Sequence, residues 1–261
     1  MYDWITPNWP SPPNVKAIFT TRTGGVSKNH NGVYSGLNLG DYVDDDELSV
    51  RHNRTLLRSY LPSEPYWLKQ VHGVKPIWID NDDAHLEGDA ALSRCGGRVC
   101  AILVADCLPI LLCDSVGSVV GAVHAGWRGL AGGVIENTIS EMVRKDAEII
   151  AWLGPAIGPK HFEVGEEVRE VFLKHDSASS SAFTSTSNGK KWYADLFTLA
   201  RQRLKDVGVN RVYGGDECTF SNPERFYSYR RDGITGRMAA LIWLAEIQPL
   251  NDAHPLYCEH D

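Results

Sequence analysis

Residues 99–127, VCAILVADCLPILLCDSVGSVVGAVHAGW, decide the reading of the fold. Apolar residues fill three segments, divided by turn residues at Asp106, Pro109 and Ser115 to Ser118. Short apolar runs without polar alternation suit strands buried on both faces. The stretch therefore predicts three strands in the interior of a sheet. Its end is unusual: His124, Trp127 and Arg128 stand among Gly121, Gly126 and Gly129. Closing a strand requires none of those three side chains.

Upstream, VKAIFTTRTGGVS (Val15 to Ser27) predicts a strand running into a Gly-Gly turn. DDDELSVRHNRTLLRSYL predicts a helix, with Asp44 to Glu47 at the end where the helix dipole favours negative charge. YWLKQVHG and KPIWID are short strands. Downstream the period lengthens, and Leu130, Val134, Thr138, Ile139, Met142 and Val143 share one helical face as far as Lys145. EIIAWLGPAIG predicts a strand and a turn, and GEEVREVFLKH a short helix. WYADLFTLARQRLKDVGV predicts a helix closed at Gly208. RVYGG, RFYSYRRDG and RMAALIWLAEI supply the last strands. Ser and Thr crowd residues 177–189, which predicts a mobile surface loop, and 248–261 reads as a frayed tail. Without a repeat or a linker, residues 1–261 read as one mixed α/β domain with large sheets.

A chain of 261 residues with net charge −7 can bury a substantial core but offers no basic field to a nucleic-acid backbone. No apolar run is long enough to span a membrane, and MYDWITPNWP lacks the features of a signal peptide. A cytoplasmic protein is expected. Its six cysteines have no CxxC spacing and read mostly as buried, reduced thiols.

Three potential ligands interrupt or end the strands: His72 in LKQVHG, Cys107 in LVADCLPILL and His124 in GAVHAGWRG. Their spacings, 35 and 17 residues, match no zinc finger. Brought together, two imidazoles and a thiolate are a set that zinc accepts tetrahedrally with a fourth position open. Arg128 opens a helix, where free backbone N–H groups favour an anion. Two other readings use the same residues. Cys107 can be a nucleophile with either histidine as base, or the metal can be closed and structural, stabilising a binding protein.

Eight segments in order, TTRTGGVS, LNLG, LKQVHG, GDA, ADCLPILL, HAGWRG, WLGPAIGP and YSYRRDGITGRMAALIWL, resemble the bacterial YfiH-like, or laccase-domain, family from Thr20 to Leu244. The resemblance implies a single α/β domain with mixed β-sheets packed face to face and helices on the outside. It also implies a zinc ion on His72, Cys107 and His124. For function it implies purine nucleoside phosphorylase activity on adenosine, inosine and methylthioadenosine, with adenosine deaminase activity. Polyphenol oxidase activity with copper in the same site, and a role in peptidoglycan editing, are the alternatives attached to the family. A laccase-type cluster needs roughly ten histidines, whereas this chain has nine and no His-x-His pair.

Phosphorolysis needs cations for phosphate. Arg128 is the first expectation, with Arg22 and Arg231 as partners. Deamination needs a carboxylate to carry a proton, for which Asp106 and Asp89 are expected, either being alternatively a support for a ligand imidazole or a turn residue. The preferred nucleoside, the residues reading its base and the oligomeric state are not legible in the sequence.

Overall fold

Alternation along the central strands places one apolar set on each face, so both faces must be covered. The computed structural model describes residues 2–28, 32–81, 86–142 and 147–246 and covers them in four layers. Strands β1 (Val15–Phe19), β2 (Pro65–Trp67), β5 (Val99–Val104) and β13 (Met238–Leu244) form a four-stranded sheet, in the order β1-β13-β5-β2. A six-stranded sheet joins β3 (Pro76–Trp78), β4 (Ala90–Ser93), β6 (Leu108–Asp114), β7 (Val120–Ala125), β8 (Ile149–Leu153) and β12 (Arg211–Gly214), in the order β12-β8-β6-β7-β4-β3. Each sheet mixes parallel and antiparallel pairs.

The sheets pack face to face. Cys100, Ile102 and Val104 of β5 meet Leu111, Cys113, Val120 and Ala122 of β6 and β7 in one buried cluster. The alternate residues Val99, Ala101 and Leu103 turn outward onto Leu57 of helix α1 (Glu47–Arg58). On the far side, Leu108, Ile110, Leu112 and Val123 pack against α3 (Val134–Met142), α4 (Glu166–His175) and α5 (Leu196–Asp206). The expected mixed α/β architecture with outer helices is what the chain adopts.

Several elements differ from the sequence reading. Pro109 is not a turn but the second residue of β6, opposite His124. The helix expected from Leu130 is broken into α2 (Trp127–Gly132) and α3 by Gly133, whose φ of 101° is left-handed. Residues 177–189 begin with a 3-10 helix (Ser177–Ala182) and strand β10 (Phe183–Ser185). The strand pairs with β11 (Trp192–Ala194), which in turn pairs with β9 (Glu163–Val164). Burial of Ser179, Ala182 and Phe183 gives that segment an anchor its composition conceals. RFYSYRRDG holds a short helix, α6 (Tyr229–Asp232), capped by Ser228. The tail at 248–261 lies outside the described residues.

Candidate metal centre and active site

The topology brings the three ligand positions to one end of the sandwich. The chain leaves the four-stranded sheet after β2 and after β5, and enters the six-stranded sheet at β3 and β6. His72 lies on the first crossing and Cys107 on the second. His124 is on β7, two residues past Ala122, so it shares the face turned toward the other sheet. Their donor atoms lie within 4.8 Å of one another, with Cys107 Sγ 3.9 Å from His72 Nε2.

Backbone strain at His72 is balanced by one carboxylate. His72 has a φ of 58°, unfavourable for any residue with a side chain. Buried Asp89 accepts from three successive amides around it: Oδ1 from His72 N at 2.9 Å, and Oδ2 from Val71 N at 3.2 Å and Gly73 N at 2.7 Å. Its Oδ1 also lies 2.8 Å from His124 Nδ1, which donates to it and leaves Nε2 for a metal. Asp89 thus holds both histidines. Gly126 leaves the remaining space, since a Cβ there would stand 3.0 Å from Cys107 Sγ and 3.1 Å from His72 Cδ2.

Burial alone would raise the Cys107 thiol, but the His124 and His72 imidazoles outweigh it and bring the pKa down to about 6. Burial would likewise depress His124, yet the Cys107 sulfur and the Asp89 carboxylate lift it to about 9. Asp89 is itself lowered: burial opposes ionisation, and His124 with the surrounding amides overcomes it. A thiolate beside an imidazolium is therefore the favoured metal-free pair.

The donor set fits zinc. Tetrahedral zinc, with ligands at about 2.0–2.3 Å, spaces its donors by roughly 3.3–3.8 Å. Closing the observed separations onto one ion requires side-chain shifts of a fraction of an ångström to about one ångström. Among the described residues this is the single group of three or more His, Cys, Asp or Glu donors so placed.

A cavity of about 350 Å³ opens on the three ligands. Its other walls include Gln70, Tyr42, Tyr229 and Arg237, none of them legible as site residues in the sequence. Gln70 is occupied in structure: its amide donates to Leu103 O and accepts from Leu103 N, fastening the His72 segment to β5. Arg237 Nη1 donates to the carbonyls of Thr235 and Gly236, which fixes the guanidinium at the wall.

The other expected site residues are placed elsewhere. Arg22 stacks on Tyr227 and donates to the carbonyls of Pro223 and Gly32. Arg231 donates to carbonyls of Thr219, Phe220 and Phe226 and pairs with Asp232. Both arginines serve backbone carbonyls rather than the cavity, so the structure does not bring them to the site. Arg128 is exposed and stacks on half-buried Trp127 in the first turn of α2. Asp106 directs its carboxylate to Thr219, Ser228 and Arg230.

These features define an α/β protein whose two larger sheets stack face to face, with an open His-Cys-His centre at one end of the sandwich. The chain belongs to the multi-copper polyphenol oxidoreductase laccase family, whose model matches residues 16–245. It is 50% identical over 243 residues to the purine nucleoside phosphorylase YfiH of Shigella flexneri, covering 92% of this chain and 98% of that one. A purine nucleoside phosphorylase of Pseudomonas aeruginosa is 48% identical over 246 residues, covering 94% and 100%. Among solved structures, protein NMB0706 of Neisseria meningitidis superimposes with a TM-score of 0.85 at 44% identity, covering 94% of this chain and 100% of that one. YlmD of Geobacillus stearothermophilus gives 0.83 at 31% identity, covering 93% and 96%. Among the described residues no helix is long and apolar enough to cross a membrane.

Proposed function

We propose that the protein is a zinc-dependent purine nucleoside phosphorylase acting on adenosine, inosine and methylthioadenosine, with adenosine deaminase activity at the same site. The observation that carries the reading is an open three-ligand donor set on the wall of a cavity large enough for a small molecule. The names of the relatives supply the substrate class. The deaminase part rests on the family resemblance alone.

In phosphorolysis a phosphate oxygen bonds to the anomeric carbon of the sugar while the bond to the purine nitrogen breaks. The purine leaves with the electron pair and takes up a proton. Zinc on His72, Cys107 and His124 would supply a Lewis acid at the cavity. In this proposal Arg237 provides the cationic wall for phosphate, and Arg128, exposed in the first turn of α2 and outside the cavity lining, is a second cation for it. Tyr42 and Tyr229, 56% and 61% exposed, offer rings against which a base can stack. Cys107 and His124 act by holding the metal, with Asp89 keeping the His124 imidazole in the ligating tautomer.

Metal analysis of protein purified without added metal, paired with an adenosine-plus-phosphate assay, tests the reading. Near-stoichiometric zinc, release of adenine, and loss of both in Cys107→Ala are expected. Zinc-free protein that remains active overturns the metal role and favours Cys107 as nucleophile. Copper in place of zinc, with oxidation of phenols and no adenine release, favours the oxidase reading. Zinc-loaded protein with no nucleoside turnover favours a binding role or a peptidoglycan-derived substrate.

A further inference from the structure

Asp106 adjoins a metal-binding cysteine, where a proton carrier would be looked for, yet its carboxylate is not part of the cavity lining. Oδ1 accepts from Thr219 Oγ1 at 2.6 Å, and Oδ2 accepts from Ser228 Oγ at 3.0 Å and Arg230 N at 2.6 Å. Its backbone carbonyl accepts from Ile157 N at 2.9 Å. Thr219 and Ser228 are fully buried. The residue itself has a φ of 89°, a left-handed conformation that needs support from its surroundings. One carboxylate therefore joins the sheet crossing that carries Cys107 to two distant segments.

One of those segments matters for the cavity. Ser228 caps α6, its Oγ accepting from Arg231 N at 3.2 Å while donating to Asp106. Arg230 N is a second α6 group held by the same carboxylate. Between them stands Tyr229, a wall of the cavity. We propose that Asp106 is a positioning residue that sets Cys107 and the Tyr229 wall in register, and that it does not carry the proton. The inference rests on the reading of Cys107 as a metal ligand.

The chemistry of the three donors separates the two roles. In Asp106→Asn the carbonyl oxygen can still accept from Ser228 and Arg230, and the amide can donate to Thr219 Oγ1, whose own proton rotates away. Asparagine also tolerates a left-handed backbone. Asp106→Ala loses all three bonds. Zinc affinity by chelator competition, kcat and KM with adenosine and phosphate, and amide hydrogen exchange at Arg230 are measured for both variants. Asp106→Asn should keep kcat and zinc affinity within about fivefold, as expected when a supporting hydrogen-bond network survives. Asp106→Ala should weaken zinc by about 10–100-fold, raise KM and accelerate exchange at Arg230.

Ser228→Ala, a milder variant that tests the same link if Asp106→Ala does not fold, should accelerate Arg230 exchange and raise KM. A kcat loss above about 100-fold in Asp106→Asn, with zinc affinity and Arg230 exchange unchanged, would be the mark of a general acid or base and overturns the proposal. Unaltered Arg230 exchange in Asp106→Ala overturns it as well. If the wild-type protein takes up no zinc, the phosphorylase reading fails, and Arg230 exchange still decides the place of Asp106.

Discussion

Asp89 shows how little of a candidate metal centre lies in its three donors. Its two oxygens serve four N–H groups, three of them on the left-handed turn that presents His72 and one on the His124 ring. Asp89→Asn puts an amide donor where only acceptors fit, so it should weaken zinc by about 10–100-fold while leaving the fold in place. Chelator competition with circular dichroism checks both halves, and wild-type affinity in a folded variant would refute the role. The thiol can be tested too. In metal-free protein, alkylation of Cys107 by iodoacetamide should persist down to about pH 6, whereas an ordinary thiol slows below its pKa near 9. Peptide mapping by mass spectrometry reads this rate. The linkage signs for folding are opposed. Cys107, lowered from 9.0 to about 6, makes stability rise with pH across that window. His124, raised from 6.5 to about 9, makes it fall between those values. The metal-free pair should therefore leave stability nearly flat from pH 6.5 to 9, which urea titrations in EDTA would measure.

Elements were legible where burial acts on both faces and obscure where tertiary partners decide. The apolar runs of β5, β6 and β7 suit strands buried on both faces, and the acidic stretch before α1 ends in Asp46, which caps it by accepting from Ser49 N. YSY in RFYSYRRDG alternates like a strand, but Ser228 caps a turn that Asp106 draws in from 122 residues away. No local pattern carries that information. The break between α2 and α3 is written as Gly132-Gly133, but the apolar face continues through it and hides the change of direction. Gly133→Ala puts a side chain at a φ of 101° and should cost about 1–2 kcal/mol, read as a lower urea midpoint with an unchanged slope. Similarly, the ligands stood out by residue type, whereas Tyr42, Tyr229 and Arg237 look like surface residues until the loops assemble. Arg22 and Arg231 misled for the converse reason: a guanidinium in a glycine-rich loop suits buried carbonyls as well as it suits phosphate.

At the scale of the molecule, two sheets share one inner core, and the chain passes between them at the crossings that bear His72 and Cys107. His124 waits on the six-stranded sheet itself. Cys107 and His124 meet at the paired strands β6 and β7. His72 is held to them between Asp89, beside β4 of the same sheet, and Gln70, fastened to β5 of the other, so the complete donor set needs both sheets and forms late. An ion that binds only the finished sandwich stabilises the native state without stabilising the barrier that precedes it. In stopped-flow experiments added zinc should slow unfolding in proportion to site occupancy and leave the refolding rate unchanged. Faster refolding with zinc would mean that the ligands gather before the sheets do. Bound this late, a metal on these donors would act as a latch, extending the lifetime of a fold it has no part in building.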